Sequence, residues 1–179
     1  MLAALLLGGC TAPGSNMRDP EWVHDEDVGG YYRPDFATHS PELVEEHFPV
    51  LGEVGAVTVL DGRFTDPHGR EWIPAQDDYW WEATIELEPG TVEELIAEAG
   101  TTSGTGSPEP PEALTVEAVR TVLVAPLEER LEECPGGWID ATPALTEPGH
   151  ANRTAAGDII QLAAVCEGGT QLVIAARDM

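Results

Sequence analysis

Apolar and polar residues alternate most regularly at Tyr79 to Glu88, where the chain reads YWWEATIELE. A period of two places Trp81, Ala83, Ile85 and Leu87 on one face of a strand and Trp80, Glu82, Thr84, Glu86 and Glu88 on the other. The first set is expected in the core and the second toward water. Upstream, GAVTVLD (55–61) is rich in β-branched residues, and Asp61-Gly62 predicts a hairpin turn into Arg63-Phe64-Thr65. Asp66-Pro67-His68-Gly69 then predicts a second turn, returning a strand at Arg70 to Ile73. Two apolar runs at the C-terminus, Asp158 to Cys166 and Thr170 to Arg177, are joined by Glu167-Gly168-Gly169 and predict a hairpin. Because nearly every position in them is apolar, they belong in the middle of a sheet.

Helical periodicity marks three other stretches. Ser40 followed by Pro41 predicts a short helix with Ser40 as N-cap, ended by Pro49. Thr91-Val92-Glu93-Glu94 has the form of a capping box, with Val92, Leu95, Ile96 and Ala99 as a buried stripe that Gly100 closes. From Thr115, the positions Val116, Val119, Leu123, Leu127, Leu131 and Cys134 keep a helical spacing that Pro126 interrupts, which predicts a kinked helix or two pieces. Residues 100–112 and 139–157 lack any period and are expected as loops. The whole predicts an α+β fold: an antiparallel sheet of about five strands with two or three helices packed on one face.

The first residues have a different character. Leu2 to Leu7 is a short apolar run, then Gly8, Gly9 and Cys10, in the order of an export signal and its small-residue cleavage site. The segment Leu7-Gly8-Gly9-Cys10 resembles the lipobox of bacterial lipoproteins. That resemblance implies removal of residues 1–9 as a truncated leader, acylation of Cys10, and a membrane anchor facing outside the cytoplasm. Residues 10–38 then serve as tether and irregular lead-in, and residues 39–179 as one folded domain. The apolar run is far below the ~20 residues that a transmembrane helix needs.

Composition narrows the chemistry. The chain has 179 residues, and 33 acidic against 8 basic side chains give a net charge of −25. Every basic residue is Arg. Such a surface repels phosphate backbones, so no nucleic-acid partner is expected. Without Lys there is no Schiff-base chemistry, no phosphate-loop lysine and no Ser-x-x-Lys nucleophile. After Cys10 only Cys134 and Cys166 remain, and an even pair in an exported chain reads as a disulfide.

The candidate catalytic constellations do not assemble. Asp25 and Asp27 have the alternate spacing of a calcium loop, but Gly29 and Phe36 stand where oxygen ligands are needed, so a solvated acidic turn is expected. His24, His39, His47, His68 and His150 show no paired spacing. His39 and His47 do flank the helix bearing Glu42, Glu45 and Glu46, yet surface histidines are the expectation and no metal or other cofactor is assigned. Glu82 and Glu86 lie ~13 Å apart along their strand, wider than the 5–9.5 Å of a glycosidase pair. No serine sits in a Gly-x-Ser-x-Gly elbow. Asn152-Arg153-Thr154 matches a glycosylation acceptor, a chance match in a bacterial lipoprotein.

Trp80 is the oddity, an indole on the polar face of a well-phased strand. Either it forms a binding surface with Glu82, Thr84 and Glu86, or the segment around Trp22, Tyr31 and Tyr32 covers it. The leading functional expectation is a non-catalytic binding or interaction module at the cell envelope, taking a protein, cell-wall or small-molecule ligand. The alternative is an envelope hydrolase or metal-dependent enzyme whose histidines and carboxylates meet only on folding. A deep pocket holding two of His24, His39, His47 and His68 with a carboxylate would mark the enzyme; a flat surface around Trp80 would mark the module.

Overall fold

The computed structural model describes residues 21–69, 78–101, 110–147, 150 and 152–177. The leader, Cys10, the first part of the tether and the strand expected at 70–73 lie outside the described residues, as does most of the 100–112 loop.

The fold is α+β, built on one antiparallel sheet. Its strands are β1 (Val23–Asp25), β2 (Gly30–Tyr32), β3 (Val57–Arg63), β4 (Tyr79–Glu86), β5 (Ala113–Leu114), β6 (Trp138–Asp140), β7 (Ile159–Cys166) and β8 (Gln171–Arg177). Their spatial order is β1-β2-β3-β4-β8-β7-β6-β5, and every neighbouring pair is antiparallel. The sheet thus has eight strands among the described residues rather than about five. The additional ones are the two- and three-residue strands β1, β2, β5 and β6. Segments this short carry no readable period. The C-terminal hairpin lies in the middle, as its unbroken apolar runs required, with β8 paired to both β4 and β7.

The helices are α1 (Pro41–His47), α2 (Pro89–Thr101), α3 (Val116–Arg120), α4 (Ala125–Glu128) and α5 (Thr142–Leu145). They cover both faces of the sheet, which corrects the one-faced arrangement. Val44 of α1, Val92 and Leu95 of α2 and Leu145 of α5 pack on Val59, Ala83, Ile85, Val165 and Ile174. Val119 of α3 and Leu127 of α4 pack with Leu123 and Val124 on Leu60, Trp80, Ala164 and Val173. The second layer is what makes a strand with two buried faces possible: β4 is buried from Trp80 to Ile85 except for part of Trp81.

Local chemistry departs from expectation at three points. The chain does not turn at Asp61-Gly62; β3 runs straight through them. Gly62 is there for close approach, because a Cβ would stand 2.2 Å from the Tyr31 carbonyl oxygen and 2.4 Å from Cζ2 of Trp80. Helix α2 begins at Pro89, so Thr91 lies in its first turn and its N–H donates to the Glu88 carbonyl at 3.0 Å. The periodic stretch after Thr115 forms two short helices, one of the two arrangements expected, with α3 capped by the Thr115 hydroxyl on the Ala118 N–H (3.1 Å); the departure is that Leu131 to Cys134 leaves helical geometry. The Cys134–Cys166 disulfide is formed, with Cα atoms 5.5 Å apart, and fastens this irregular segment to the end of β7.

Candidate functional site

Of the four residues proposed as a binding surface, three are buried: Trp80 is 2 % exposed, Glu82 2 % and Thr84 6 %. Only Glu86 is open to solvent. The flat aromatic surface therefore does not exist. Tyr32 of β2 sets its ring edge on Trp80, with centroids 6.2 Å apart. Trp22 is engaged elsewhere, beneath the guanidinium groups of Arg33 and Arg63 at 4.9 and 4.6 Å.

The same strand face does supply a pocket at its other end. Thr58 of β3 lies opposite Thr84, and Gln171 of β8 lies opposite Glu86, so their side chains share one face by register. Gln171 is 8 % exposed and joins the segment after α4 to the sheet. Its Nε2 donates to the Arg130 carbonyl at 2.9 Å, and its Oε1 accepts the Glu132 N–H at 3.0 Å. With the backbone at Arg130 and Glu132 held in this way, the exposed Arg130 borders an open pocket of about 160 Å³ shared with Thr58, Thr84 and Glu86. It offers one guanidinium, the two carboxylates of Glu86 and Glu132, and the hydroxyl groups of Thr58, Thr84 and Thr170 within one small volume. Its size is below the ~300–1,000 Å³ of common small-molecule sites, so it fits a small solute or one polar end of a larger one.

Glu82 has a structural task. Its Oε2 accepts the backbone N–H of Val124, the residue before α4, at 2.7 Å. Burial pushes its pKa up to about 8, against the lowering by the Val124 hydrogen bond and with a further rise from the Asp25 charge. Tyr32 is likewise raised, by burial first and then by the charges of Asp25 and Glu82.

The histidines scatter. The His24 ring is tilted at 52° against Tyr31 with centroids 4.6 Å apart, and His39 places Nδ1 2.9 Å from the Val57 carbonyl oxygen. His68 and His150 are exposed. Asp25 accepts the N–H groups of Asp27 and Val28 at 3.0 and 3.1 Å, closing the turn between β1 and β2 on itself. Among the described residues no group of three or more His, Cys, Asp or Glu is placed to hold a metal.

One pair does meet across the fold. His47 Nδ1 lies 2.7 Å from Oδ2 of Asp158, 111 residues away, and Asp158 is 3 % exposed. The Thr154 hydroxyl also reaches that carboxylate at 3.3 Å and accepts the Asp158 N–H at 3.1 Å. This orients an imidazole, the first requirement of a general base. The second imidazole set as the mark of an enzyme is not beside it: His24, His39 and His68 have the other surroundings given above. Sequence reasoning missed the pair because neither residue has a local pattern around it. The isolated Asp158 at the head of an apolar strand was the available signal.

Comparison with models of known protein families, with curated proteins and with solved structures returns no match. The functional reading therefore rests on this chain's own residues.

Proposed function

We propose that this protein is a lipid-anchored binding module of the bacterial cell envelope, non-catalytic, held at the membrane through acylated Cys10 and taking a small polar ligand in the pocket between Arg130 and the Thr58–Thr84–Glu86 face. The observation that carries the reading is the convergence of Thr84 and Glu86 with Arg130, fixed by the two hydrogen bonds of Gln171. One guanidinium beside two carboxylates and several hydroxyls suits a solute with several hydrogen-bonding groups, such as an amino acid or sugar end group. The lipobox resemblance supports the address. The Cys134–Cys166 bridge agrees with it, because such bonds persist in oxidising compartments outside the cytoplasm.

Two measurements test the two halves. Mass spectrometry of the native protein should find Cys10 as an acylated N-terminus in the membrane fraction, and Cys10→Ser should release the protein; an intact leader on cytosolic protein would overturn the anchor. A thermal-shift screen of amino acids and sugars should yield stabilising compounds whose effect disappears in Arg130→Ala. Hits that Arg130→Ala leaves unaltered would remove the pocket from the reading.

A further inference from the structure

Trp22, at the start of the described chain, takes two guanidinium groups against its indole. Arg63 lies 4.6 Å and Arg33 4.9 Å from the ring centre, and Arg33 is also 4.1 Å from the ring centre of Phe36. Strand register joins this cluster to a corner of the sheet. Arg63 of β3 stands opposite Tyr31 of β2 on one side and Tyr79 of β4 on the other, so these side chains share a face. Phe36 is 48 % exposed and Tyr79 45 %, which presents aromatic rings and arginines together at the surface.

A ring stacked on a guanidinium occupies the face of the cation and leaves its in-plane N–H donors free. Among the described residues neither Arg33 nor Arg63 directs its guanidinium to a hydrogen-bond acceptor or an ion-pair partner. The chain has 33 acidic side chains for 8 basic ones. Two guanidinium groups gathered on one indole without a carboxylate partner therefore point to an oxygen acceptor outside the chain.

Position and charge narrow that acceptor. Residues 11–20 separate Cys10 from Glu21, a span of at most about 40 Å, so Trp22 lies where the tether meets the fold. Aromatic rings and arginines are the side chains that settle at a membrane–water boundary, the rings among the head groups and the charges on phosphate. The corner is not simply cationic: exposed Glu21 and Asp35 adjoin Trp22 and Phe36 in sequence, and exposed Asp61 shares the face of Arg63. With a net charge of −25, the chain is repelled by strongly anionic surfaces. A zwitterionic head group complements both signs, offering phosphate to the arginines and ammonium to the carboxylates.

We propose that the corner formed by Trp22, Arg33, Phe36 and Arg63 is the face this protein sets against the bilayer, its guanidinium groups donating to the phosphates of zwitterionic phospholipids. This rests on the Cys10 anchor proposed above for the protein's place beside a membrane, and the two fail separately: mass spectrometry of native protein decides the anchor, vesicle contact decides the face.

For the test, the full chain is coupled through Cys10, the one cysteine outside the bridge, to a maleimide-bearing lipid, which sets it on vesicles whether or not the cell acylates that residue. The vesicles are phosphatidylcholine brominated near the head of the acyl chains, and the signal is quenching of the tryptophan emission that Trp22→Phe removes. Quenching is expected. It should fall to background in vesicles of digalactosyldiacylglycerol brominated at the same positions, which are neutral and apolar within but have no phosphate. Arg33→Met keeps an apolar stem on the two rings without donors and should lose most of the quenching. Phe36→Ser, at a side chain too exposed to unsettle the fold, should reduce it, whereas Val50→Ser, at an aliphatic side chain 61 % exposed outside this corner, should not. Absent quenching on phosphatidylcholine, equal quenching on the galactolipid, or full quenching in Arg33→Met would overturn the proposal. So would a response of the Trp22 emission to inorganic phosphate without vesicles, which would make the corner a site for a soluble oxyanion.

Discussion

The carboxylate of Glu82, on the central strand β4, accepts the backbone N–H of Val124 at 2.7 Å across 42 residues of sequence. It anchors the start of α4 to the middle of the sheet, and it does so as a buried acid. Its folded pKa of about 8 stands above the ordinary 4.5, so the folded chain retains a proton that the unfolded chain has released. This contribution is full below about pH 4.5 and is lost as pH rises toward about 8, by up to ~1.4 kcal/mol per pH unit. Urea denaturation at pH 5, 6.5 and 8 should show that decline. Glu82→Gln keeps an acceptor without the charge and should flatten it; an unchanged slope would show that Glu82 is ionised in the folded protein.

The disulfide should contribute substantially. Closing a chain separation of 32 residues is worth roughly 3–4 kcal/mol in the chain-entropy account. Reduction, or the double substitution Cys134→Ser and Cys166→Ser, should lower the melting temperature by many degrees. Equal stability with and without reductant would mean that the thiols remain unpaired in solution.

Gly62→Ala tests why a glycine stands within β3, between Asp61 and Arg63. The added Cβ would meet the Tyr31 carbonyl and the Trp80 ring well inside contact distance. The strand pair β2–β3 or the indole must shift, at a cost of about 1–3 kcal/mol. Near-UV circular dichroism should change with it, since Trp80 is the displaced chromophore.

Gln171→Ala and Arg130→Ala should separate scaffold from site. Removing Gln171 deprives the Arg130 carbonyl and the Glu132 N–H of their partner and should cost about 1–2 kcal/mol. Arg130 has an exposed side chain, and its loss should alter stability by less than about 0.5 kcal/mol. Chemical denaturation of both variants measures the difference; comparable losses would mean that the guanidinium supports the fold.

Several elements were legible because their chemistry is local. The Glu167–Gly169 connection between two apolar runs led to the β7–β8 hairpin, Ser40-Pro41 to the start of α1, and the Val92–Leu95–Ala99 stripe to α2. Asp61-Gly62 misled because a glycine required by a neighbouring ring has the same letter as one required by a turn. Trp80 was legible as anomalous, and the covering by Tyr32 offered as one of its two explanations is the one found. Glu82 was misplaced at the surface, since no pattern in β4 tells of the helix that comes to lie on it. The His47–Asp158 pair left only one trace in the sequence, the lone Asp158 ahead of an apolar strand, and nothing there points to His47.

By itself the sequence determined the net charge of −25, a complement of basic residues made up of Arg alone, the cysteine pair available for a bridge, and the strands and helices whose side-chain period repeats over several residues. These follow from composition and from contacts a few positions apart. Only the tertiary structure decided that both faces of β4 are buried, that a glutamate lies in the core, and that Arg130 meets Thr84 while His47 meets Asp158. Those outcomes depend on which layers stack and on register between strands far apart in the chain, and burial, hydrogen bonding and charge at each site follow from that stacking.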